Sequence, residues 1–189
     1  MGGEISLVIS NRLGAGGLSI AQNAGIETAL IDHQRYPTRE AFDQDLAGAI
    51  DSAQPDLVVL AGFMRILTPE FVARFSERLM NIHPSLLPLY PGLHTHQRAL
   101  DNGDSHAGAT VHYVTGELDG GPPVLQAKVP VNSGDDADAL AARVLAVEHQ
   151  IYPVAVNWHL CGRLTWEDGS LIKDGMPVPP SGELWESTS

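Results

Sequence analysis

The sequence has little of three things: cysteine, long apolar stretches and positive charge. Its single cysteine, Cys161, excludes an intramolecular disulfide and fits a reducing compartment such as the cytoplasm. No apolar run is long enough to span a bilayer, and Met1-Gly2-Gly3-Glu4 lacks the basic and apolar regions of a signal peptide. We therefore expect a cytoplasmic protein with no membrane partner.

Positive charge is scarce, with 11 lysine and arginine residues against 23 aspartate and glutamate residues and a formal net charge of −12. The basic residues are scattered singly, whereas a polyanion such as tRNA is bound by a patch of lysine and arginine side chains. The sequence therefore predicts no nucleic-acid partner. A small-molecule substrate needs only a few local donors, so the acidity of the chain does not count against one.

The apolar pattern predicts strands that alternate with helices. Short apolar runs indicate buried strands at 5–10, 26–31, 57–62 and 78–83, with helical segments between them. Such alternation is typical of a parallel sheet covered on both faces, with ligands bound beyond the carboxyl ends of its strands. After residue 84 the pattern predicts an irregular loop, a helix near 95–102, adjacent strands at 110–114 and 124–131, and a long helix from residue 135.

These elements predict an α/β fold of three layers, Rossmann-like, with a mainly parallel sheet and an antiparallel portion. We expect one domain over residues 1–189. Pro153 should kink or restart the long helix. The turn residues Asp168-Gly169 and Asp174-Gly175 predict a small hairpin, and we expect a loosely ordered tail from about residue 175.

The stretch Asn81-Ile82-His83-Pro84 carries the most informative chemistry. Residues two apart in a strand face the same side, so Asn81 and His83 project together where ligands bind. An amide donor and an imidazole suit a carbonyl carbon under attack, because they stabilise an oxyanion and carry a proton. At this point it stays open that Asn81 ties down a loop and that His83 is a structural histidine.

Asp119 lies in a glycine-rich loop between two predicted strands, where a carboxylate could approach His83. A neighbouring carboxylate stabilises the protonated form of a histidine. The alternative is an ordinary Asp-Gly turn, which is common. A metal cluster is a further alternative, with His83, His94, His96 and His112 as ligands. The His-x-His spacing is known for metal ligands, but carboxylate ligands are not clearly placed and the single cysteine is remote.

Four sequence motifs follow one another along the chain. They are Ala61-Gly62-Phe63-Met64-Arg65-Ile66-Leu67, Asn81-Ile82-His83-Pro84-Ser85-Leu86-Leu87-Pro88, Tyr90-Pro91-Gly92-Leu93-His94-Thr95-His96, and Gly108-Ala109-Thr110-Val111-His112-Tyr113-Val114 running into Leu118-Asp119-Gly120-Gly121-Pro122. Together they resemble the phosphoribosylglycinamide formyltransferase family of folate-dependent enzymes, over about residues 5 to 175.

The resemblance implies transfer of a formyl group from the cosubstrate 10-formyltetrahydrofolate to the amine of glycinamide ribonucleotide, in de novo purine biosynthesis. It implies that Asn81 and His83 act in the transfer, that Asp119 holds His83 protonated and orders water, and that no metal takes part. Glu148 matches a ribonucleotide contact. The positions that match folate contacts are Arg39, Met64, Arg65, Ile66, Leu67, Asn81, Thr115, Gly116, Glu117, Leu118 and Asp119. We expect a monomer or a homodimer.

Two departures from the family are visible. Gly116 stands where the family usually has an acidic or larger residue. The resemblance also begins at the family's second strand, so the preceding strand and its phosphate-cradling loop have no counterpart. The segment Gly14-Ala15-Gly16-Gly17 is interpreted as a helix entry. We therefore expect a retained folate site and weak ribonucleotide binding.

Three alternatives remain at this point. A formyltetrahydrofolate hydrolase and a methionyl-tRNA formyltransferase are similar in the Asn-x-His and Leu-Asp-x-Gly motifs, although the Pro-Ser-Leu-Leu-Pro segment favours the purine enzyme. The tRNA enzyme also needs a basic surface. From another class, a catalytically impaired folate-binding protein fits a chain without the phosphate loop.

Overall fold

The computed structural model describes residues 2–186, and the secondary-structure elements within that range are as follows. The strands are β1 (Val8–Ser10), β2 (Thr28–Leu30), β3 (Val58–Leu60), β4 (Leu79–His83), β5 (His106–Tyr113), β6 (Pro123–Pro130), β7 (Leu164–Glu167), β8 (Ser170–Lys173), β9 (Met176–Pro177) and β10 (Glu183–Leu184). The helices are α1 (Gly16–Asn23), α2 (Arg39–Ala53), α3 (Pro69–Arg74), α4 (Thr95–Asp101) and α5 (Ala137–Leu160), with a short 3-10 helix at His33–Arg35.

A five-stranded sheet in the order β10-β6-β5-β4-β3 carries the site. The pairs β3–β4 and β6–β10 are parallel, whereas β5 runs antiparallel to both β4 and β6. Strands β1 and β2 form a separate parallel pair, and β7, β8 and β9 form a small antiparallel sheet. The predicted α/β class, with parallel strands and an antiparallel portion, is confirmed.

Two apolar clusters lie on opposite faces of the main sheet. Met80 belongs to the cluster under α5, and its neighbour Leu79 belongs to the cluster under α2 and α3, as the two-residue alternation of a strand requires. Ile9 of β1 and Leu60 of β3 both pack against the second cluster, so both sheets contribute to this core. The result is three layers of helices, sheet and helix.

Polar side chains begin the helices that flank the site. The hydroxyl of Thr38 accepts from the amide of Ala41 at 3.2 Å and starts α2, and Asp136 accepts from the amide of Ala139 at 2.8 Å and starts α5. No helix within residues 2–186 is both long and apolar enough to cross a bilayer.

The structure differs from the expectations in two places. Helix α5 runs through Pro153 without restarting, so only the expected restart is contradicted. Burial of its apolar face against β5 and β6 outweighs the loss of one backbone hydrogen bond. The segment after residue 175, expected to be loosely ordered, contains β9 and β10, and Trp185 packs on the core cluster. Residues 187–189 lie outside the described part. The predicted hairpin near residues 168 and 174 is present as β7, β8 and β9.

Gly121 should prove essential to the turn that leads from β5 into β6. A Cβ atom at this position would lie 1.8 Å from the carbonyl oxygen of Tyr113, a backbone atom that cannot move without breaking the sheet. We expect Gly121→Ala to lower the free energy of unfolding by roughly 1–3 kcal/mol, the usual range for overpacking. Urea denaturation measures the change.

The matched control is Gly48→Ala in the interior of α2, where nothing lies within 4 Å of the added atom. Alanine is the better helix former, so this variant should gain about 0.5–1 kcal/mol. Equal stabilities for the two variants would contradict the close approach at Gly121.

Candidate active site

Asn81 and His83 lie at the carboxyl end of β4, where the sheet opens towards the loops. Leu60, the last residue of β3, pairs with Asn81, so the ends of the two parallel strands meet there. The antiparallel partner β5 places His112 opposite Asn81 and Thr110 opposite His83. Since cross-strand partners share a face, the site draws side chains from both strands.

Both ring nitrogens of His83 face protein acceptors. Nε2 lies 2.9 Å from the carbonyl oxygen of Tyr90, and Nδ1 lies 3.5 Å from Oδ2 of Asp119. The side chains of His83 and Asp119 are only 8% and 10% exposed. An imidazolium ring can donate from both nitrogens, so the arrangement suits the charged form of His83.

Asp119 enters the site from the loop between β5 and β6. Its backbone has a φ of +51°, a left-handed conformation that aspartate tolerates better than most residues. Oδ2 accepts from the amide of Gly92 at 2.8 Å, so the carboxylate holds the Tyr90–Gly92 loop as well as His83. The expected approach of Asp119 to His83 is therefore present.

His112 links Asn81 to this pair. Its Nδ1 lies 2.9 Å from the carbonyl oxygen of Tyr113, its Nε2 lies 3.3 Å from Nδ2 of Asn81, and the same Nε2 lies 3.8 Å from Oδ1 of Asp119. Burial is the main influence on its pKa and lowers it below the ordinary value, against smaller opposite effects of the Tyr113 carbonyl and Asp119.

The segment Met64–Leu67 follows β3, whose last residue, Leu60, pairs with Asn81. Met64 is 78% exposed and Ile66 is 62% exposed, although both are apolar. Exposed apolar side chains near the carboxyl end of a sheet can form a contact surface for a flat aromatic ligand. The role of this segment as a folate contact stays a prediction.

Arg39 begins α2, and Arg65 reaches the same helix by packing its guanidinium 5.1 Å from the ring centre of Phe42. Residues three apart share a helix face, so Arg39 lies on the side of α2 that carries Phe42. Its guanidinium lies 3.9 Å from the carboxylate of Glu40. Within residues 2–186, no hydrogen bond or ion pair joins Arg39 to Asn81, His83 or Asp119.

The segment Thr115–Asp119 of the β5–β6 loop has four exposed residues and one that turns inward. Thr115, Gly116, Glu117 and Leu118 face solvent, and Asp119 is the member that reaches His83. The segment therefore contributes one buried carboxylate to the site and four residues to the exposed surface beside it.

Glu148 lies on α5 one turn before Tyr152. The hydroxyl of Tyr152 lies 2.7 Å from the carbonyl oxygen of Leu60 and 2.9 Å from that of Met80, so this part of α5 covers the ends of β3 and β4. Residues four apart share a helix face, which places Glu148 on the same side. Burial raises the pKa of its carboxyl group.

Metal ligation has no visible basis in the described part of the chain, residues 2–186. No group of three or more histidine, cysteine, aspartate or glutamate side chains is arranged there to hold a metal ion.

Comparison with known proteins identifies the family. The family model described as formyl transferase matches residues 1–156. The chain belongs to the formyl transferase family. A phosphoribosylglycinamide formyltransferase of Escherichia coli is 52% identical over 180 residues, covering 95% of this chain and 85% of the relative. One of Haemophilus influenzae is 44% identical over 179 residues, covering 95% of this chain and 84% of the relative.

A solved structure agrees with the family assignment. The phosphoribosylglycinamide formyltransferase of Coxiella burnetii, in complex with CHES, superposes with a TM-score of 0.91 at 46% identity, covering 97% of this chain and 86% of that chain. The Rossmann-like formyltransferase fold expected from the motifs is thereby confirmed.

Sequence reasoning missed the partners that hold the predicted residues. From the sequence, His112 belonged to a motif and to a possible metal cluster, yet in the structure it contacts Asn81. The Tyr90–Gly92 backbone contacts both His83 and Asp119. A contact made by a backbone carbonyl or amide leaves no signal in the sequence, because every residue type carries these groups. The pairing of His112 with Asn81 needed the register of two antiparallel strands, which the motifs by themselves do not supply.

The stability of this formyl transferase family member should fall as the pH decreases below about 6.5. Burial lowers the pKa values of His112, His96 and His159 from the ordinary value of 6.5. The unfolded chain then binds protons at these histidines before the folded chain does, so the free energy of unfolding decreases from the ordinary pKa downward. Urea denaturation at about pH 7.5 and about pH 5.5 measures the decrease.

His112→Gln should show a smaller decrease over this range, because one of the three histidines whose pKa is lowered by burial is removed. His106→Gln is the control, since His106 is exposed on the same strand. A His112→Gln protein with the full wild-type decrease would show that His112 is not held neutral.

Proposed function

We propose that this chain transfers the formyl group of 10-formyltetrahydrofolate to the amine of glycinamide ribonucleotide, a step of purine biosynthesis in the cytoplasm. One observation carries the proposal. Asn81, His83 and Asp119 meet at the carboxyl end of β4 in a chain that is 52% identical, over 180 residues, to a protein named phosphoribosylglycinamide formyltransferase.

The chemistry follows from the charges and donors at this site. The amine attacks the formyl carbon, and negative charge develops on the formyl oxygen of the tetrahedral intermediate. A side-chain N–H of Asn81 donates to that oxyanion. The positive charge of protonated His83 also stabilises it, although both ring nitrogens face protein acceptors. Asp119, 3.5 Å from Nδ1 of His83, stabilises the imidazolium. The bond between the formyl carbon and the folate nitrogen then breaks. His83 gives its proton to that leaving nitrogen and takes up the proton that the amine loses, so the ring ends protonated as it began.

The surrounding segments supply the binding surfaces of the proposal. Met64 and Ile66 offer apolar contact to the folate ring, with Arg65 and Leu67 completing the segment. In this proposal the Thr115–Asp119 loop and Arg39 contribute further folate contacts. Glu148 on α5 contacts the ribonucleotide in the same proposal.

A steady-state assay of the purified chain with both substrates tests the proposal. We expect consumption of formyl folate only when the ribonucleotide is present. Cleavage of formyl folate without ribonucleotide would instead support a formyltetrahydrofolate hydrolase. Binding of a folate analogue with no turnover under either condition would support an impaired folate-binding protein.

Asp119→Asn should lower turnover by about 10²–10³-fold, because the imidazolium of His83 loses its charged partner. Steady-state kinetics measure this loss. The control is Asp101→Asn, an exposed aspartate on α4 that only accepts from the side chain of Gln97. Wild-type turnover in Asp119→Asn would remove Asp119 from the mechanism.

The transfer should proceed without a covalent formyl-enzyme. Ser85 is the hydroxyl residue nearest in sequence to His83, and its hydroxyl donates to the carbonyl oxygen of Leu89 at 2.6 Å, so it is not paired with a base. We expect the intact mass of the protein to stay unchanged after incubation with formyl folate alone. An adduct of one formyl group would contradict direct transfer.

A further inference from the structure

A buried histidine outside the predicted catalytic set stands next to the amide of Asn81. His112 is the antiparallel partner of Asn81 on β5, and only 2% of its side chain is exposed. Side chains directly opposite in an antiparallel pair lie within about 4.5–5.5 Å of one another at Cβ. The register of the sheet therefore gives Asn81 a fixed neighbour.

The tautomer of His112 follows from its backbone contact. A carbonyl oxygen only accepts, so Nδ1, 2.9 Å from the carbonyl of Tyr113, carries the proton. Burial keeps the ring neutral, although Asp119 faces Nε2 at 3.8 Å and opposes this effect, while the nearby His83 acts in the same direction as burial. Nε2 of a neutral ring with a proton on Nδ1 has only a lone pair to offer.

That lone pair decides which way the Asn81 amide points. Nδ2 of Asn81 lies 3.3 Å from Nε2 of His112, so the amide nitrogen donates and the amide oxygen is turned away. The two ends of an asparagine amide have nearly the same shape, and without an acceptor the group can rotate by about 180°. Rotation would put an oxygen where an N–H is needed, and an oxygen repels an oxyanion.

From this geometry we propose that His112 is a positioning residue that fixes the side-chain amide of Asn81 for formyl transfer. The inference rests on the proposed function for its kinetic consequence. It does not require His112 to touch either substrate. One amide proton of Asn81 is held by His112, and the other remains for the oxyanion.

The variants that separate this role from simple packing are His112→Gln and His112→Leu. Glutamine keeps a side-chain oxygen that can accept from Asn81, whereas leucine keeps apolar bulk and has no acceptor. We expect His112→Leu to lower kcat about 10- to 100-fold, somewhat less than the loss of an oxyanion donor itself. KM for both substrates should change little, because the orientation matters in the transition state.

His112→Gln should recover most of that kcat, and His106→Gln, an exposed change on the same strand, should match the wild type. Equal losses in His112→Gln and His112→Leu would overturn the proposal and leave His112 as a packing residue. A loss expressed only in KM would overturn it as well.

Nitrogen NMR of the wild-type protein tests the arrangement without any assay. We expect His112 at neutral pH to carry its proton on Nδ1, with an unprotonated Nε2 and one defined orientation of the Asn81 amide. A protonated Nε2 would overturn the proposal and indicate a proton path to Asp119 instead. If the wild type proved inactive with both substrates, the proposed function would fail, and the NMR result would still decide the His112–Asn81 arrangement.

Discussion

The antiparallel pairing of β4 with β5 is the constraint on which the site depends. It sets Asn81 opposite His112 and His83 opposite Thr110. A slip of one residue would turn every side chain of one strand to the other face. It would separate these four residues and move Leu79 and Met80 each into the opposite apolar cluster. Burial of both faces of this sheet is therefore what keeps the polar contacts of the site in register.

A buried polar network ties the loop after β4 to the same two strands. The hydroxyl of Thr110 donates to the carbonyl of Ser85 at 2.7 Å and accepts from the amide of Leu87 at 3.0 Å, and Gln126 of β6 donates to the carbonyl of Leu87 at 2.7 Å. A buried polar group without a hydrogen-bond partner would lower the stability of the fold. Each hydrogen bond of this network therefore restricts the positions of the other partners. These hydrogen bonds fix the path of the loop up to Tyr90, whose carbonyl oxygen contacts His83.

Asp119 joins two parts of the chain that are distant in sequence. Its carboxylate accepts from the amide of Gly92 and faces both His83 and His112, which are its neighbours across β4 and β5. A carboxylate at 10% exposure needs such partners, because burying an unpaired charge is costly. In the proposed reaction the same carboxylate stabilises the imidazolium, so the contacts that satisfy its charge also serve the chemistry.

The amino-acid sequence by itself determined the class of the fold, the placement of Asn81 and His83 on one side of a strand, and the family. Those features are local: strand periodicity, turn residues and motif order are written in neighbouring residues. The sequence did not determine the path of α5 through Pro153, the strand β10, the carbonyl of Tyr90 against His83, or the contact of His112 with Asn81. Only the tertiary structure decided these, because they depend on burial, strand register and backbone atoms that every residue type shares.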